Sequence, residues 1–294
     1  VKRLIERVEA HPAIEVWKKA EIESCEGHWG NFRTCVVVDG EKRDVAHGAV
    51  VLATGGHEIV PKEYHYGEDP RIVTQRELER MIAEGDDRVE GLKSVAMIQC
   101  VGSRDDEHPY CSRVCCGHAI KNALKLKDKE PSLSVAVFYR DVRTYGFFEE
   151  YYQEARNRGV IFIRYEPEDK PQVDVESEGI RIAFTDTIVR HRTEFEADLL
   201  VLSTGIEAND NRDLAEAVGV EVGADGFFQE ANPKSAPLDA VDRGKFICGL
   251  CHSPNHIEDC LSQANAVAGR AAALLGRKRV EYKPYLAYVV ERLC

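Results

Sequence analysis

The sequence predicts an α/β fold in which one domain interrupts another. Three observations carry this. From residue 94 onward apolar strand-like segments alternate with helix-like ones, which indicates a mainly parallel sheet covered on both faces. Two apolar strands far apart in the chain, GAVVLATGG and ADLLVLSTG, each deliver a Thr-Gly pair, at Thr54–Gly55 and Thr204–Gly205. Apolar residues make up 44% of 294, enough for one large core or two smaller ones. The order of segments places a first part at residues 1–70, an insertion at 71–200 and a return at 201–276, with a C-terminal extension at 277–294.

The elements follow in order. VKRLIERVEA sets Leu4, Ile5 and Val8 on one helical face, and Pro12 closes the helix. AIEVW, FRTCVVVDG and GAVVLATGG read as strands, the last a buried run. An irregular stretch extends from Pro61 through Gly67. The capping box Thr74–Glu77 then opens a helix through RELERMIAEG. SVAMIQC is a buried strand, GHAIKNALKLKDK a helix, SVAVFYRD a strand, FFEEYYQEARNRG a helix stopped at Gly159, and VIFIRY a strand. A more polar β section contains GIRIAF and leads to ADLLVLSTG. The short strand KFICG, the loop LCHSPN and a long Ala-rich helix, HIEDCLSQANAVAGRAAALLG, complete the pattern, and Gly276 ends that helix.

Composition excludes several functions. There are 51 acidic against 39 basic side chains, a formal charge of −12, which argues against a surface built for nucleic acid phosphates. No stretch approaches the ~20 apolar residues of a membrane span. The opening VKRLIERVEAHP has no apolar signal core and no initiator Met, so the chain reads as a piece of something longer. Without a secretion signal, the ten cysteines are expected to be reduced and the protein cytoplasmic.

The strongest chemical signal is QCVGSRDDEHPYCSRVCC. Cys100, Cys111, Cys115 and Cys116 have the spacing C-x10-C-x3-C-C, so four of the ten cysteines lie within 17 residues. Cys100 ends a buried strand and the others lead into the next helix, where Cys111 and Cys115, four apart, would share a face. Four thiolates at such a junction suit an iron–sulfur cluster or a soft-metal site. The spacing is neither that of a ferredoxin nor of paired zinc knuckles, and by itself names no metal; buried packing thiols and zinc stay as alternatives. Arg104 and Arg113 could offset the anionic charge. A nicotinamide-binding domain would place its glycine-rich turn at this junction, yet no GxGxxG occurs in the chain, which disfavours that cofactor.

Weaker signals lie elsewhere. A glycine after a buried strand, as at Gly55 and Gly205, lets a ligand or crossing backbone approach. In GLCHSPNHIEDC, Asn255 reads as an N-cap, with His256 and Ile257 in the first helical turn, where free N–H groups favour a phosphate or the N1–C2=O edge of a reduced flavin. An exposed first-turn residue is the plain alternative for His256. Cys248 and Cys251 form C-G-L-C, which invites a dithiol reading, although Cys248 lies in an apolar strand. Cys260 reads as packing, and Cys25 and Cys35 carry no signal. No Ser–His–Asp order or paired carboxylates support hydrolysis.

CVGSRD with YCSRVCC, YRDVRTYG with EEYYQEARNRGVIFIRY, and VVLATGGHEIVPKEYHYG with VTQRELE resemble the A subunit of heterodisulfide reductase and its relatives, over roughly residues 10–275. The resemblance implies a thioredoxin-reductase-like two-domain Rossmann-type fold: residues 1–70 and 201–276 as two parts of an FAD-binding domain, the first truncated, and 71–200 as an inserted Rossmann-like domain. It implies FAD and a [4Fe-4S] cluster, and a place among other subunits and iron–sulfur electron carriers in an oxidoreductase complex. Carried over by position, the cluster ligands fall on Cys100, Cys111, Cys115 and Cys116. The flavin contacts fall on Thr54, Gly55, Gly205, Gly249, His256 and Ile257. The family's N-terminal glycine-rich turn is missing ahead of Val1, its ferredoxin-like modules are absent, and Cys294 stands where such a module would begin. Two rival functions remain in view: a stand-alone flavin disulfide reductase using Cys248 and Cys251, and a non-catalytic scaffold holding a metal.

Overall fold

A computed structural model describes residues 2–279 of the chain. The expected first helix, α1 (Lys2–Glu9), forms, but none of its side chains is buried. AIEVW does not become a strand. Ile14 and Val16 stay exposed, and extended structure starts only at Ala20. Strands β1 (Ala20–His28), β2 (Asn31–Val38) and β3 (Glu41–His47) form an antiparallel meander. The β2–β3 turn is Asp39–Gly40, both left-handed at φ 51° and 84°, the backbone a two-residue hairpin of matching twist requires. β4 (Val50–Leu52) and β5 (Gly56–Glu58) follow. The run expected to be buried at β4 is only three residues long, with Leu52 in the core and Val51 half exposed.

The chain continues through β6 (Ile72–Thr74), α2 (Gln75–Glu84), β7 (Ser94–Val101), α3 (Cys115–Lys129), β8 (Ser134–Tyr139), α4 (Phe148–Asn157) and β9 (Ile161–Arg164). The capping box is present: Glu77 N–H donates to Thr74 Oγ1 at 3.3 Å and Thr74 N–H to Glu77 Oε2 at 2.8 Å. Then come β10 (Gln172–Val175), β11 (Ile180–Asp186), β12 (His191–Ala197), β13 (Leu199–Thr204), β14 (Ile206–Ala208), α5 (Arg212–Val218), β15 (Lys245–Ile247) and α6 (Ile257–Leu275).

The residues group into two compact units. The inserted unit comprises 55–209 with 253–259, and the interrupted unit comprises 2–54, 210–252 and 260–279. The crossings fall at 54/55 and 209/210, where sequence reading sets 70 and 200. The reason is a two-stranded ribbon: β5 pairs antiparallel with β14, so both connecting segments stay with the inserted sheet.

In the inserted unit a five-stranded sheet has the order β6-β13-β7-β8-β9, every pair parallel. One face carries α2, α3 and α4, with Leu78, Met81, Ile120 and Leu126 packed on Val95, Met97, Val135 and Val201. The other face is covered by the antiparallel sheet β10–β12, whose Ile180, Ile182 and Phe184 meet Ala96, Ile98, Phe138 and Leu202. Because β7 and β13 are buried on both faces, they read as continuous apolar runs rather than alternating ones. Each fully buried aliphatic side chain there contributes about 1.5–3 kcal/mol. In the interrupted unit β4 pairs parallel with β15, and Leu52, Ile247, Val218, Phe228 and Cys251 make its core. Among the described residues no helix is long and apolar enough to cross a membrane.

Candidate functional site

The cysteine motif sits where β7 leaves the parallel sheet and α3 begins, in the crevice at the carboxyl ends of strands where open α/β sheets hold ligands. The backbone there is unusual. Cys100, Arg104 and Arg113 all adopt left-handed φ values, 62°, 60° and 61°, within fourteen positions. Each such non-glycine residue costs on the order of 1–3 kcal/mol and persists only when its surroundings hold it.

Those surroundings are visible. Arg104 N–H donates to His108 O at 2.7 Å and Tyr110 O at 3.1 Å, and His108 N–H to Asp105 Oδ1 at 2.7 Å. Both backbone groups of Ile206, in β14, are taken by this loop. Tyr110 Oη donates to Ile206 O at 3.0 Å, and Ile206 N–H donates to Ser112 Oγ at 2.8 Å. Helix α3 starts at Cys115, so Cys111 lies outside it and the two do not share a helical face as the spacing suggested. A tight turn replaces that arrangement: Val114 N–H donates to Ser112 O at 2.6 Å and Arg113 N–H to Cys111 Sγ at 3.3 Å.

Three of the four thiols are shifted by their surroundings. Cys100, Cys115 and Cys116 are buried and Cys111 is half-buried. The Cys115 thiol is pushed well up, first by its hydrogen bond with Cys116, then by burial and by the charges of Cys116, Cys100 and Cys111. Cys116 moves down, because the Cys115 thiol donates to it. Burial pushes Cys100 up to about 11, with Cys116 adding and Arg104 and Arg140 opposing. The four cysteines singled out from sequence lie at this one junction, Cys100 in β7, Cys111 in the loop and Cys115 and Cys116 in α3. Among the described residues no group of three or more His, Cys, Asp or Glu side chains is disposed to hold a single metal ion.

Arginines surround the site. Arg104 Nη1 lies 3.9 Å from Cys100 Sγ and pairs with Asp141, which also accepts from Arg143 Nη2 at 3.2 Å. Arg140 Nη1 donates to Arg104 O at 2.7 Å while its buried Nε has no partner among the described residues. In the same condition are Ser103 Oγ and Gln99 Oε1, both flanking Cys100 in sequence.

Arg113 reaches furthest. Its guanidinium donates to Asn255 Oδ1, to Tyr145 Oη at 2.7 Å and to Asp259 Oδ2 at 3.1 Å, and lies 5.9 Å from the Tyr145 ring centroid. Asn255 is therefore not a helix cap. α6 begins at Ile257, and the Asn255 amide donates to Ser253 O and Oγ while its oxygen faces Arg113. His256 precedes the helix, its ring stacked on Phe148 at 5.1 Å and edge-on to Tyr145 at 5.8 Å. Ile257 is 67% exposed. Sequence reading gave Arg113 only a charge-balancing part and missed Tyr145, Phe148 and Ile206. Their partners lie 32 to 146 positions away in the chain, and no local pattern signals such pairs.

The glycines singled out from sequence differ among themselves. Gly55 and Gly249 are left-handed, at φ 79° and 78°, and a Cβ at either would meet open space. At Gly205 a Cβ would stand 2.7 Å from Ile59 Cδ1, 2.8 Å from Gly102 O and 3.0 Å from Ser103 Cβ, so close packing accounts for this glycine. Thr54 Oγ1 donates to Asn211 Oδ1 at 2.9 Å, and Gly249 N–H to Gln263 Oε1 at 2.8 Å, both within the interrupted unit.

The C-G-L-C thiols are not poised for exchange. Cys251 is fully buried and its thiol donates to Leu52 O at 3.3 Å and Cys248 O at 3.2 Å; burial pushes the Cys248 thiol up. Cys25 and Cys260 are half-buried, as is Cys35, whose thiol donates to Glu23 Oε2. Cys294 and the rest of the expected extension beyond residue 279 lie outside the described residues.

No family model matches the chain. Among curated proteins it is 36% identical over 271 residues to the A subunit of the H2:CoB-CoM heterodisulfide,ferredoxin reductase of Methanothermobacter marburgensis, a match covering 86% of this chain and 41% of that protein. It is 36% identical over 264 residues to the iron-sulfur A subunit of the CoB–CoM heterodisulfide reductase of Methanocaldococcus jannaschii, covering 84% and 40%. A third relative, from Archaeoglobus profundus and named for its likeness to the heterodisulfide reductase A subunit, is 32% identical over 292 residues, covering 87% and 41%. The chain spans about two fifths of the length of these curated relatives. Among solved structures, thioredoxin reductase of Lactococcus lactis aligns with a TM-score of 0.57 at 13% identity, over 93% of this chain and 79% of that one. The HOCl-induced flavoprotein disulfide reductase RclA of Escherichia coli gives 0.57 at 12% identity, over 95% and 55%. These likenesses show the fold: an α/β, thioredoxin-reductase-like two-domain Rossmann-type architecture, as the family resemblance implied.

Proposed function

We propose, from the premise that this chain is a sequence relative of the A subunit of heterodisulfide reductase, that it is the flavin and iron–sulfur core of an electron-transferring oxidoreductase. One observation supports the reading: Cys100 near the end of β7, Cys111 in the loop after it and Cys115 and Cys116 at the start of α3 lie at one strand-to-helix junction, three of them buried, with Arg104 Nη1 3.9 Å from Cys100 Sγ. A [4Fe-4S] cluster spreads its thiolates, one to each iron, whereas zinc draws all its ligands to one point. Metal content separates the two. When bound, the cluster would exchange single electrons and FAD electron pairs.

The chain's own residues would do the rest. Cys100, Cys111, Cys115 and Cys116 would give up their protons and ligate iron, with Cys111 as the half-buried ligand nearest solvent. Arg104, Arg113, Arg140 and Arg143 would offset the anionic charge, and the buried donors around Cys100 would tune potential through hydrogen bonding. Thr54, Gly55, Gly205, Gly249, His256 and Ile257 are the residues offered for flavin contact; Gly55 and Gly249 each leave open space where a Cβ would stand, and Thr54 is oriented by Asn211. The buried Cys251 thiol, tied to two carbonyls, does not favour a stand-alone disulfide reductase. Other subunits and iron–sulfur carriers in the cytoplasm would exchange the electrons.

Anaerobic purification with iron, sulfide and flavin quantified beside an optical spectrum tests this. About four iron and four sulfide per chain are expected, and Cys111→Ala should lose them while keeping the wild-type circular dichroism. Iron unchanged in that variant, or zinc in place of iron, overturns the assignment.

A further inference from the structure

Arg113 occupies a position no electrostatic role requires. It stands between Cys111 and Cys115 with a left-handed backbone, φ 61°, and in that conformation its own N–H points at Cys111 Sγ, 3.3 Å away. An arginine gains nothing from left-handed geometry and has no glycine-like tolerance for it, so something else must hold it there. Its side chain does. The planar fork donates at once to Asn255 Oδ1, Tyr145 Oη and Asp259 Oδ2, and its Nη1 lies 3.5 Å from Pro254 O. Asn255 is itself 4% exposed and fixed by Ser253, so the anchor is rigid. Cys111 is the one motif cysteine that is half-buried and not buried, and so the sulfur whose surroundings solvent could most easily disorder.

We propose that Arg113 is a positioning residue: its side-chain anchors hold its own backbone N–H on the Cys111 sulfur, and that hydrogen bond would make an iron–sulfur cluster held by the motif easier to reduce by one electron. The proposal rests on the cluster reading above for its electron-transfer part and on the apoprotein geometry alone for its hold on the backbone. A hydrogen bond to sulfur stabilises the more anionic, reduced state. Lysine keeps the charge but, as a point donor on a flexible stem, cannot serve Asn255, Tyr145 and Asp259 together. Glycine adopts the left-handed backbone without strain but has no anchor.

The test uses the full chain with Arg113→Lys, Arg113→Gly and Tyr145→Phe. Hydrogen–deuterium exchange of the segment around residues 110–116, read in cluster-free protein, should quicken about tenfold in Arg113→Gly and Arg113→Lys, and less in Tyr145→Phe, the loss of roughly one hydrogen bond to a charged group. In anaerobically purified protein a redox titration should show the reduced-to-oxidised ratio at fixed potential falling about tenfold in Arg113→Gly, which for one electron is ~59 mV. Full recovery of the midpoint by Arg113→Lys means charge alone acts and overturns the positioning role. Wild-type exchange in Arg113→Gly overturns the anchoring. Absence of iron from wild-type protein overturns the cluster reading and the electron-transfer part with it, while the exchange result still decides the hold on Cys111.

Discussion

The cysteine loop between β7 and α3 and the C-G-L-C segment after β15 each gather buried thiols, and their backbones treat those thiols in opposite ways. At this junction three non-glycine residues are held left-handed and Arg104 Nη1 lies 3.9 Å from Cys100 Sγ. After β15 the Cys251 thiol is spent on the carbonyls of Leu52 and Cys248, inside an apolar cluster. Burial alone therefore does not separate a reactive from a structural cysteine. What separates them is the surroundings: a guanidinium beside Cys100 in the motif, against the apolar cluster that encloses Cys251.

The largest expected effect breaks the comparison outright. Cys115→Ala should abolish iron binding almost completely, whereas Cys251→Ala should leave iron per chain unchanged, as read by metal analysis of anaerobically purified protein. Equal loss in both would erase the distinction. Next in size, Gly205→Ala forces a Cβ against the backbone oxygen of Gly102 at the root of the cysteine loop, and should cost about 1–3 kcal/mol in urea denaturation. Gly249→Ala, with open space but φ 78°, should cost about 1 kcal/mol. A reversed order would show the cysteine loop to be the more yielding of the two.

Cys251→Ala itself should destabilise by about 1 kcal/mol, since Leu52 O keeps the Cys248 N–H at 3.0 Å after the thiol is lost. The smallest effect is a pH dependence in β5. Burial holds the Glu58 carboxyl above its ordinary range, against the opposing hydrogen bond from Thr204. The folded state thus binds that proton more tightly than the unfolded chain. Stability is lost as pH rises from the unfolded value, about 4.3, through the raised folded one. Glu58→Gln should remove that loss, so its urea midpoint should gain on the wild type as pH rises through this window. A constant difference would show that Glu58 titrates normally.

Much of the inserted unit was legible because its strands are buried on both faces and its first helix carries a complete cap, so local pattern and tertiary environment agree at Val95–Ile98 and at Thr74–Glu77. AIEVW misled because β-branched residues without a pairing strand have nothing to bury. At the site, the cysteine identities were readable but their geometry was not. Helical spacing for Cys111 and Cys115 assumed a helix that starts four residues late, after a turn fixed by Ser112 and Ile206. Asn255 looked like a cap because caps are local, whereas the group that claims it, Arg113, lies 142 positions away.

The double grip on Ile206 also sets a timetable. Tyr110 and Ser112 find their partner 96 and 94 residues later in the chain, so a ribosome must add most of the inserted unit before the cysteine loop can close. Until then its thiols hang from a segment that prefers other backbone conformations. The loop is thus a late product of synthesis, able to close only after all five strands of the parallel sheet have been made.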